Sequence, residues 1–426
     1  MIVDFIIPIV GFFIFIVIAW SLSVNRTAID WKLVISGFGL QILLAFMFLK
    51  LPFTIEVLQF VSRAFVKILD FSLQGAQFLF GDLAKNSQAN LDVKHNLGFI
   101  FAFQVLPTII FFSSLTAGLY YLGILQKVVW VLAWMMSKTM RISGAESLSA
   151  SGNIFLGQTE APMLIKPFIK NMSPSEITCV MTGGMATLAG GVMAAYISFL
   201  GGTSLDSKIL FTTSLLTASV INVPAAIVFA KILYPENQNI DTQLRLNNEN
   251  FGANILDALF IGASDGVKLA LNVGAMLLAF ISLIALINFI FSKTGDWLHF
   301  NEWIKYASDG RFNQLSLQFI FAQIGRPLAF CMGVPWNESM YVGSLLGQKT
   351  VINEFVAYID LSDMKVKGLL SPKSILISTF ALCGFSNFSS IAIQLGGLSL
   401  MAPNQQTTIS KVGMRALLAA SLACFS

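Results

Sequence analysis

The sequence predicts an all-α polytopic membrane protein of about eight transmembrane helices, with two re-entrant helical hairpins in inverted repeats and several interfacial helices. Three observations lead there. Of 426 residues, 56% are hydrophobic and only 11% charged, where a soluble chain carries about 25% charged. Apolar runs of roughly 20 residues, the length that crosses a bilayer, recur along the chain. Polar, helix-breaking clusters interrupt two such stretches, at 153–167 and 316–346, and in lipid these are costly unless they line a cavity.

The same composition excludes other classes. A net charge of +4 gives no basic field for nucleic acid, so nucleic acid is not a partner and the lipid bilayer is. Cys179, Cys331, Cys383 and Cys424 lie in apolar stretches without metal-ligand spacing and read as buried packing. His95 and His299 fall in polar connections, which argues against a histidine-based metal or nucleophile site. The chain reads as one membrane unit with no catalytic residues.

Taken in order, residues 2–22 lack a basic leader and are long enough to span, so they read as a retained helix. A polar link with Arg26 and Lys32 leads to a second span at 33–51. Residues 53–71 alternate Ile55, Leu58, Phe60, Val61, Phe65 and Ile68 with Glu56, Arg63, Lys67 and Asp70, as an interfacial helix would. A polar loop at 82–96 precedes a third span, 97–125, with a kink expected at Pro107. Residues 127–141, with Trp130 and Trp134, read as interfacial. The first broken hairpin, 144–169, has Gly157-Gln158-Thr159-Glu160-Ala161-Pro162 at its centre, and Lys166 and Lys170 as interfacial anchors.

Ser173-Pro174-Ser175-Glu176 is a helix start, with Ser at the N-cap, Pro at N1 and an acid in the first turn. Its span runs to Leu200 through Gly183, Gly184, Gly190 and Gly191. Spans at 209–233 (kinked at Pro224) and 267–291 follow, separated by an Asn-rich loop at 234–254. Residues 296–313, with Trp297 and Trp303, are interfacial. The second hairpin is placed at 316–346, with Gly333-Val334-Pro335-Trp336-Asn337-Glu338 at its turn. An amphipathic stretch at 350–361 precedes Ser371-Pro372, which opens a span to about Leu400. The last helix, 411–426, would be about 24 Å long against a hydrocarbon core of about 30 Å.

Basic residues orient the chain. With the N-terminus outside, Arg26, Lys32, Lys127, Lys138, Arg141, Lys231, Arg245, Lys411 and Arg415 all fall inside. The first hairpin then opens to the cytoplasm and the second to the outside. The order of amphipathic helix, broken hairpin, Ser-Pro span and closing span occurs twice, with 267–291 inverting the second copy. Thr187-Leu188-Ala189-Gly190-Gly191 lies as far beyond its Ser-Pro as Phe385-Ser386-Asn387-Phe388-Ser389 does beyond the other. Inverted repeats with discontinuous helices at the midplane are a secondary-transporter design.

Four polar clusters sit at membrane depth: Gln158-Thr159-Glu160, Asn153 with Thr187, Asn337-Glu338, and Asn387 with Ser389-Ser390. No basic residue matches them in depth. A Gln amide can pair with a ring amide edge, and a Glu accepts strongly from N–H or O–H. Asn and Glu together suit a vicinal diol, while Phe385, with Val192 opposite, offers a face for a flat ring. Plainer readings stand beside these. The glycine pairs can be packing surfaces, Phe385 is one of 38 phenylalanines, Ser389 and Ser390 can bond their own helix, and Glu146 and Glu354 can brace hairpins. Two carboxylates, Glu160 and Glu338, could also serve as acid and base of an intramembrane hydrolase, though no metal motif or nucleophile–His pair accompanies them. A passive channel would not need inverted hairpins.

The hairpin motifs, the Gly-Gly span and Phe380-Ala381-Leu382-Cys383-Gly384-Phe385-Ser386-Asn387 resemble the signatures of the concentrative nucleoside transporters over nearly the whole chain. The resemblance implies a homotrimer in the bacterial inner (plasma) membrane that imports uridine-like nucleosides by an elevator mechanism. Coupling would be to Na+, with H+ as the alternative. It implies a scaffold part at 1–126, a first transport repeat at 127–234, a loop and scaffold span at 235–293, and a second repeat at 294–426. By matching position, Gln158, Thr159 and Glu160 face the nucleobase, Val192 and Phe385 pack on it, and Glu338, Asn387 and Ser390 hold the ribose. Asn153, Leu156, Thr187 and Leu188 hold sodium, partly through backbone carbonyls freed at the helix break. Thr187 stands where the family commonly has serine and keeps the hydroxyl.

Overall fold

The architecture comes from a computed structural model, which describes residues 2–84, 100–202, 204–244 and 252–426, with side chains from Ile6 onward. Among them every regular element is helical. The polar loop at 85–96 with His95, the start of the third span at 97–99, and Arg245 lie outside the described residues.

The first helices follow the apolar runs: α1 (Ile2–Ser21), α2 (Trp31–Lys50) and the amphipathic α3 (Pro52–Phe80), which extends nine residues past the predicted interfacial stretch. The third span is broken rather than bent. α4 (Phe101–Gln104) stops at Val105, and α5 (Leu106–Tyr121) restarts with Pro107 in its first turn, where a missing N–H is harmless. The chain turns at Leu122-Gly123, so Leu125 opens α6 (Ile124–Met140) rather than closing the span. In the first hairpin α7 (Gly144–Gly152) leads to an irregular tip at 153–160. The return is a 3-10 turn (Ala161–Ile165) and one turn of helix, α8 (Lys166–Ile169), kept short by Pro162 and Pro167.

The Ser-Pro span divides into α9 (Pro174–Ala186) and α10 (Gly190–Gly201) around Thr187-Leu188-Ala189; α11 (Leu205–Leu233) closes the repeat. Then come α12 (Ile255–Trp297), far longer than 267–291, and α13 (Phe300–Ala307). The second repeat comprises α14 (Leu317–Cys331), α15 (Ser339–Val351), α16 (Glu354–Val366), α17 (Pro372–Leu382), α18 (Phe388–Met401) and α19 (Gln406–Phe425). α19 starts five residues earlier than predicted, because the polar Gln406-Thr407-Thr408 is helical. Its length is thus about 30 Å, enough to cross.

The second hairpin lies one helix later than the sequence predicts. α14 and α15 do pack along each other, but their turn at 332–338 faces outward. There Trp336 is exposed and Arg326 stacks on it at 3.8 Å. Glu338 accepts from the Ser371 N–H at 3.1 Å and its hydroxyl at 2.9 Å, so it braces the start of α17. The break matching 153–160 is Ile352-Asn353, between α15 and α16. Asn353 caps α16, and the first turns of α16 are buried.

Among the described residues six stretches are long and apolar enough to span a membrane. Burial separates them into two kinds. The apolar windows of α9–α10 and of α11 are 94% buried, while that of α12 is 11% buried. α11 and α9 therefore form the protein's centre, packed by α19, and α12 lies on its outside against α5.

The helix starts are held by charge. Ser143–Glu146 and Ser173–Glu176 are reciprocal capping boxes. Glu146, fully buried, pairs with Lys231 Nζ at 2.6 Å. That ammonium also donates to Ser175 Oγ at 3.0 Å and to Glu236 at 3.4 Å. Glu146 thus braces the root of the first hairpin against the end of α11, as one sequence reading had it. Lys231→Met leaves this carboxylate buried and unpaired, with an expected cost of about 3–5 kcal/mol. Thermal unfolding in detergent reads it; an unchanged midpoint would refute the brace.

Candidate functional site

The four chain breaks, at 153–160, 187–189, 352–353 and 383–387, meet inside the protein. A cavity of about 640 Å³ opens there, closed on one side by α12. Gln158, Thr159 and Glu160 from the first tip, Val192 from α10, and Phe385, Asn387 and Ser390 from the second broken span all line it. Glu338 does not. In its place stand Asn353 and Glu354.

Local chemistry sets each side chain. Glu160 accepts from the Gly157 N–H at 3.0 Å, closing the tip on itself. Gln158 is held at both ends of its amide. Its Nε2 donates to Ser390 Oγ at 3.2 Å, and its Oε1 accepts from Gln394 Nε2, also at 3.2 Å. Gly184 makes this possible: a Cβ there would fall 2.5 Å from Gln394 Nε2. Gly184 is therefore a clearance for the site rather than only a helix-packing surface. Asn387 caps α18, its Oδ1 accepting from Ser390 N at 2.8 Å and Ser389 Oγ at 2.6 Å. Its Nδ2 donates to Glu354 Oε2 at 2.8 Å. Tyr196, fully buried in α10, donates to Glu354 Oε1 at 2.9 Å. Both oxygens of Glu354 are thereby aimed, one by each repeat. Val192 and Phe385 are buried apolar walls.

Two of the residues expected to hold a cation, Asn153 and Thr187, come together around Gly183. Asn153 is fully buried; its Nδ2 donates to Ser149 O at 2.9 Å, and its Oδ1 has no partner. Thr187 ends α9, its hydroxyl donating to Gly183 O at 2.9 Å, which leaves the oxygen's lone pairs free to accept. Gly190 N donates to Phe155 O at 3.3 Å, tying the break to the tip. Leu156 and Leu188 are buried. An orphaned amide oxygen, a hydroxyl and the carbonyl end of a helix form an all-oxygen, uncharged donor set, which fits a small hard cation.

The two broken spans touch at their breaks. Asn222 of α11 donates from one amide nitrogen to Ala186 O at 3.1 Å and to Cys383 O at 2.9 Å. Cys424 donates to Cys383 O at 3.2 Å. Gly384 has φ +147°, and a Cβ on it would lie 2.8 Å from the Ala186 carbonyl carbon, so only glycine fits. The four cysteines are free; Cys331 alone is not fully buried.

Sequence reasoning missed Glu354 as a cavity residue, and with it Tyr196, Gln394 and Asn222. It also missed Asp265 and Asn272, which α12 presents to the cavity. Glu354 carried a signal, an Asn-Glu pair ahead of the second Ser-Pro as Thr-Glu is ahead of the first. The others are single polar residues inside continuous helices and carried none.

Known proteins are similar to this chain in sequence and fold. Residues 214–426 match the family described as Na+ dependent nucleoside transporter C-terminus, 10–83 its N-terminus, and 102–203 a gate family described by nucleoside recognition. An uncharacterized transporter of Haemophilus influenzae is 41% identical over 422 residues, covering 97% of this chain and 94% of that protein. The nucleoside permease NupC of Helicobacter pylori is 38% identical over 420 residues, covering 98% and 94%. Sodium/nucleoside cotransporter 1 of Rattus norvegicus is 37% identical over 96% of this chain and 60% of its own length. Among solved structures, CNTnw in an inward-facing substrate-bound state superposes with TM-score 0.86 at 38% identity, over 99% of this chain and 95% of that one. A CNTnw variant in an outward-facing state gives 0.87 at 37%, over 100% and 96%.

Proposed function

The chain belongs to the concentrative nucleoside transporter family, and from that membership we propose that it is a sodium-coupled symporter that imports nucleosides. It is a multi-pass membrane transporter, not an enzyme, and it carries nucleosides by alternating access. The observation that carries the finer reading is the cavity enclosed by four chain breaks, with an all-oxygen cation cradle beside it.

In this reading the amide of Gln158, with Thr159 and Glu160, pairs with the edge of the base. Val192 and Phe385 pack on its faces. Glu354, already held by Asn387 and Tyr196, takes the ribose hydroxyls with Asn387 and Ser390, the role first assigned to Glu338. Sodium is cargo, held by Asn153, Thr187 and the carbonyls of Leu156 and Leu188. The repeats carry the cavity past α12, an exposed rail, with the N-terminus outside and three copies per assembly.

Uridine uptake into proteoliposomes, with and without an inward sodium gradient, tests the proposal. Several-fold stimulation by sodium supports it. Uptake indifferent to sodium but driven by a pH gradient moves the coupling to protons, and no uptake of any nucleoside sinks it. Thr187→Val removes one oxygen ligand and is expected to raise the half-saturating sodium concentration about tenfold, equivalent to about 1.4 kcal/mol. Thr187→Ser should keep the wild-type value; equal values for both variants would remove Thr187 from the cradle.

A further inference from the structure

A lysine is buried in the second repeat at the helix end that corresponds to the end of α9, beside which the first repeat has its proposed cation cradle. Lys349, in the last turn of α15, is 0% exposed. Its Nζ donates to the Ala381 carbonyl at 2.7 Å and lies 5.9 Å from the centre of the Phe425 ring. It takes part in none of the ion pairs among the described residues. No ion pair within 4 Å holds this buried ammonium, which is expensive; the buried Glu354 acts on it only from farther off, so its close partners must also favour positive charge. Ala381 supplies a reason: it is the penultimate residue of α17, and the carbonyl end of a helix carries partial negative charge.

The first repeat has the same carbonyl end. Ala381 stands at the same remove from Pro372 as Gly183 does from Pro174. A Cβ on Gly183 would sit 3.6 Å from Asn153 Nδ2, the residue whose Oδ1 is buried without a partner. One helix end therefore faces an open set of oxygens, and its counterpart faces an amine on a four-carbon stem. Asn222 ties the two breaks through Ala186 O and Cys383 O, so the two places lie on either side of a shared contact.

We propose that the Lys349 ammonium is a tethered cation, filling in the second repeat the place that sodium fills in the first. The second repeat is then permanently charged, and each cycle carries one mobile cation instead of two. The proposal rests on the sodium reading above and adds to it a residue that sets the number of ions. Lys349 touches no substrate; it acts through the break it neutralises.

Lys349→Gln and Lys349→Arg test it, each by sodium activation of uridine uptake and by thermal unfolding in sodium against choline chloride. Wild type and Lys349→Arg are expected to give hyperbolic sodium curves. In Lys349→Gln the curve should become sigmoidal, its Hill coefficient rising from about 1 toward about 2, and sodium should raise the unfolding midpoint more than it does in wild type. A Lys349→Gln protein with the wild-type curve and salt response overturns the proposal and makes Lys349 a packing anchor. A Lys349→Gln protein that fails to fold even in high sodium overturns it as well, since sodium then does not replace the ammonium. Wild-type uptake indifferent to sodium overturns instead the coupling on which the proposal stands.

Discussion

Glu354→Gln is expected to lose nearly all nucleoside uptake, while Glu338→Gln keeps it. Glu354 is 2% exposed, faces the cavity, and has each oxygen aimed by a donor from a different repeat. A carboxylate offers four lone-pair sites, so after accepting from Tyr196 and Asn387 it can still accept a diol. An amide has one oxygen, and its NH2 would face the Asn387 NH2 or the Tyr196 hydroxyl. Bonds to charged groups contribute about 1.5–3 kcal/mol against about 0.5–1.5 for neutral ones. Two weakened contacts to the sugar thus lower affinity roughly 10- to 100-fold. Uptake and equilibrium binding of uridine measure it, and wild-type affinity in Glu354→Gln would remove this residue from the ribose site. Glu338 holds only the cap of α17. Its replacement should cost about 0.5–1 kcal/mol of stability and little transport.

Asn222→Leu should damage both breaks at once from outside the cavity. Leucine matches the volume but removes the donor shared by Ala186 O and Cys383 O. Both carbonyls then keep only the weak Cys424 thiol as a donor, and a poorly satisfied buried carbonyl costs up to about 1–3 kcal/mol, so the loss is about 1–3 kcal/mol, shared by the two breaks. The unfolding midpoint in detergent should fall by several degrees. In whatever protein remains folded, both the sodium and the nucleoside requirements should rise together. A variant that shifts only one of them would show that the breaks are held independently.

Much of this was legible in the sequence, for identifiable reasons. Ser173-Pro174 and Ser371-Pro372 announce helix starts with local chemistry alone, and both are where expected. Gly157 to Pro162 announces a break because it combines a flexible residue, polar side chains and a helix breaker. Gly333-Val334-Pro335 has the same ingredients, yet it makes an outward turn. Ile352-Asn353 has neither Gly nor Pro, and it makes the break that reaches the cavity. A local signal reports that the helix stops, not which way the stop faces; burial of α16 decides that, and burial is tertiary. Asn222, Gln394 and Tyr196 were illegible for the same reason, because each gains meaning only from carbonyls or side chains far away in the chain. Asp265 sits in the extension of α12 beyond its apolar core, where composition had ended the span.

The contact of Gly384 with the Ala186 carbonyl has a thermodynamic side. Ala186 precedes the proposed cation cradle at Thr187, and Gly384 precedes the aromatic wall at Phe385. On the proposed reading, an occupant of either seat acts on the other through this close approach. Whatever factor sodium lends to nucleoside affinity, the nucleoside must lend back to sodium, since the two orders of loading end in the same complex. On the proposed symport, positive coupling would keep a partly filled carrier scarce, and the ion gradient would be spent on traffic that carries cargo instead of on empty returns.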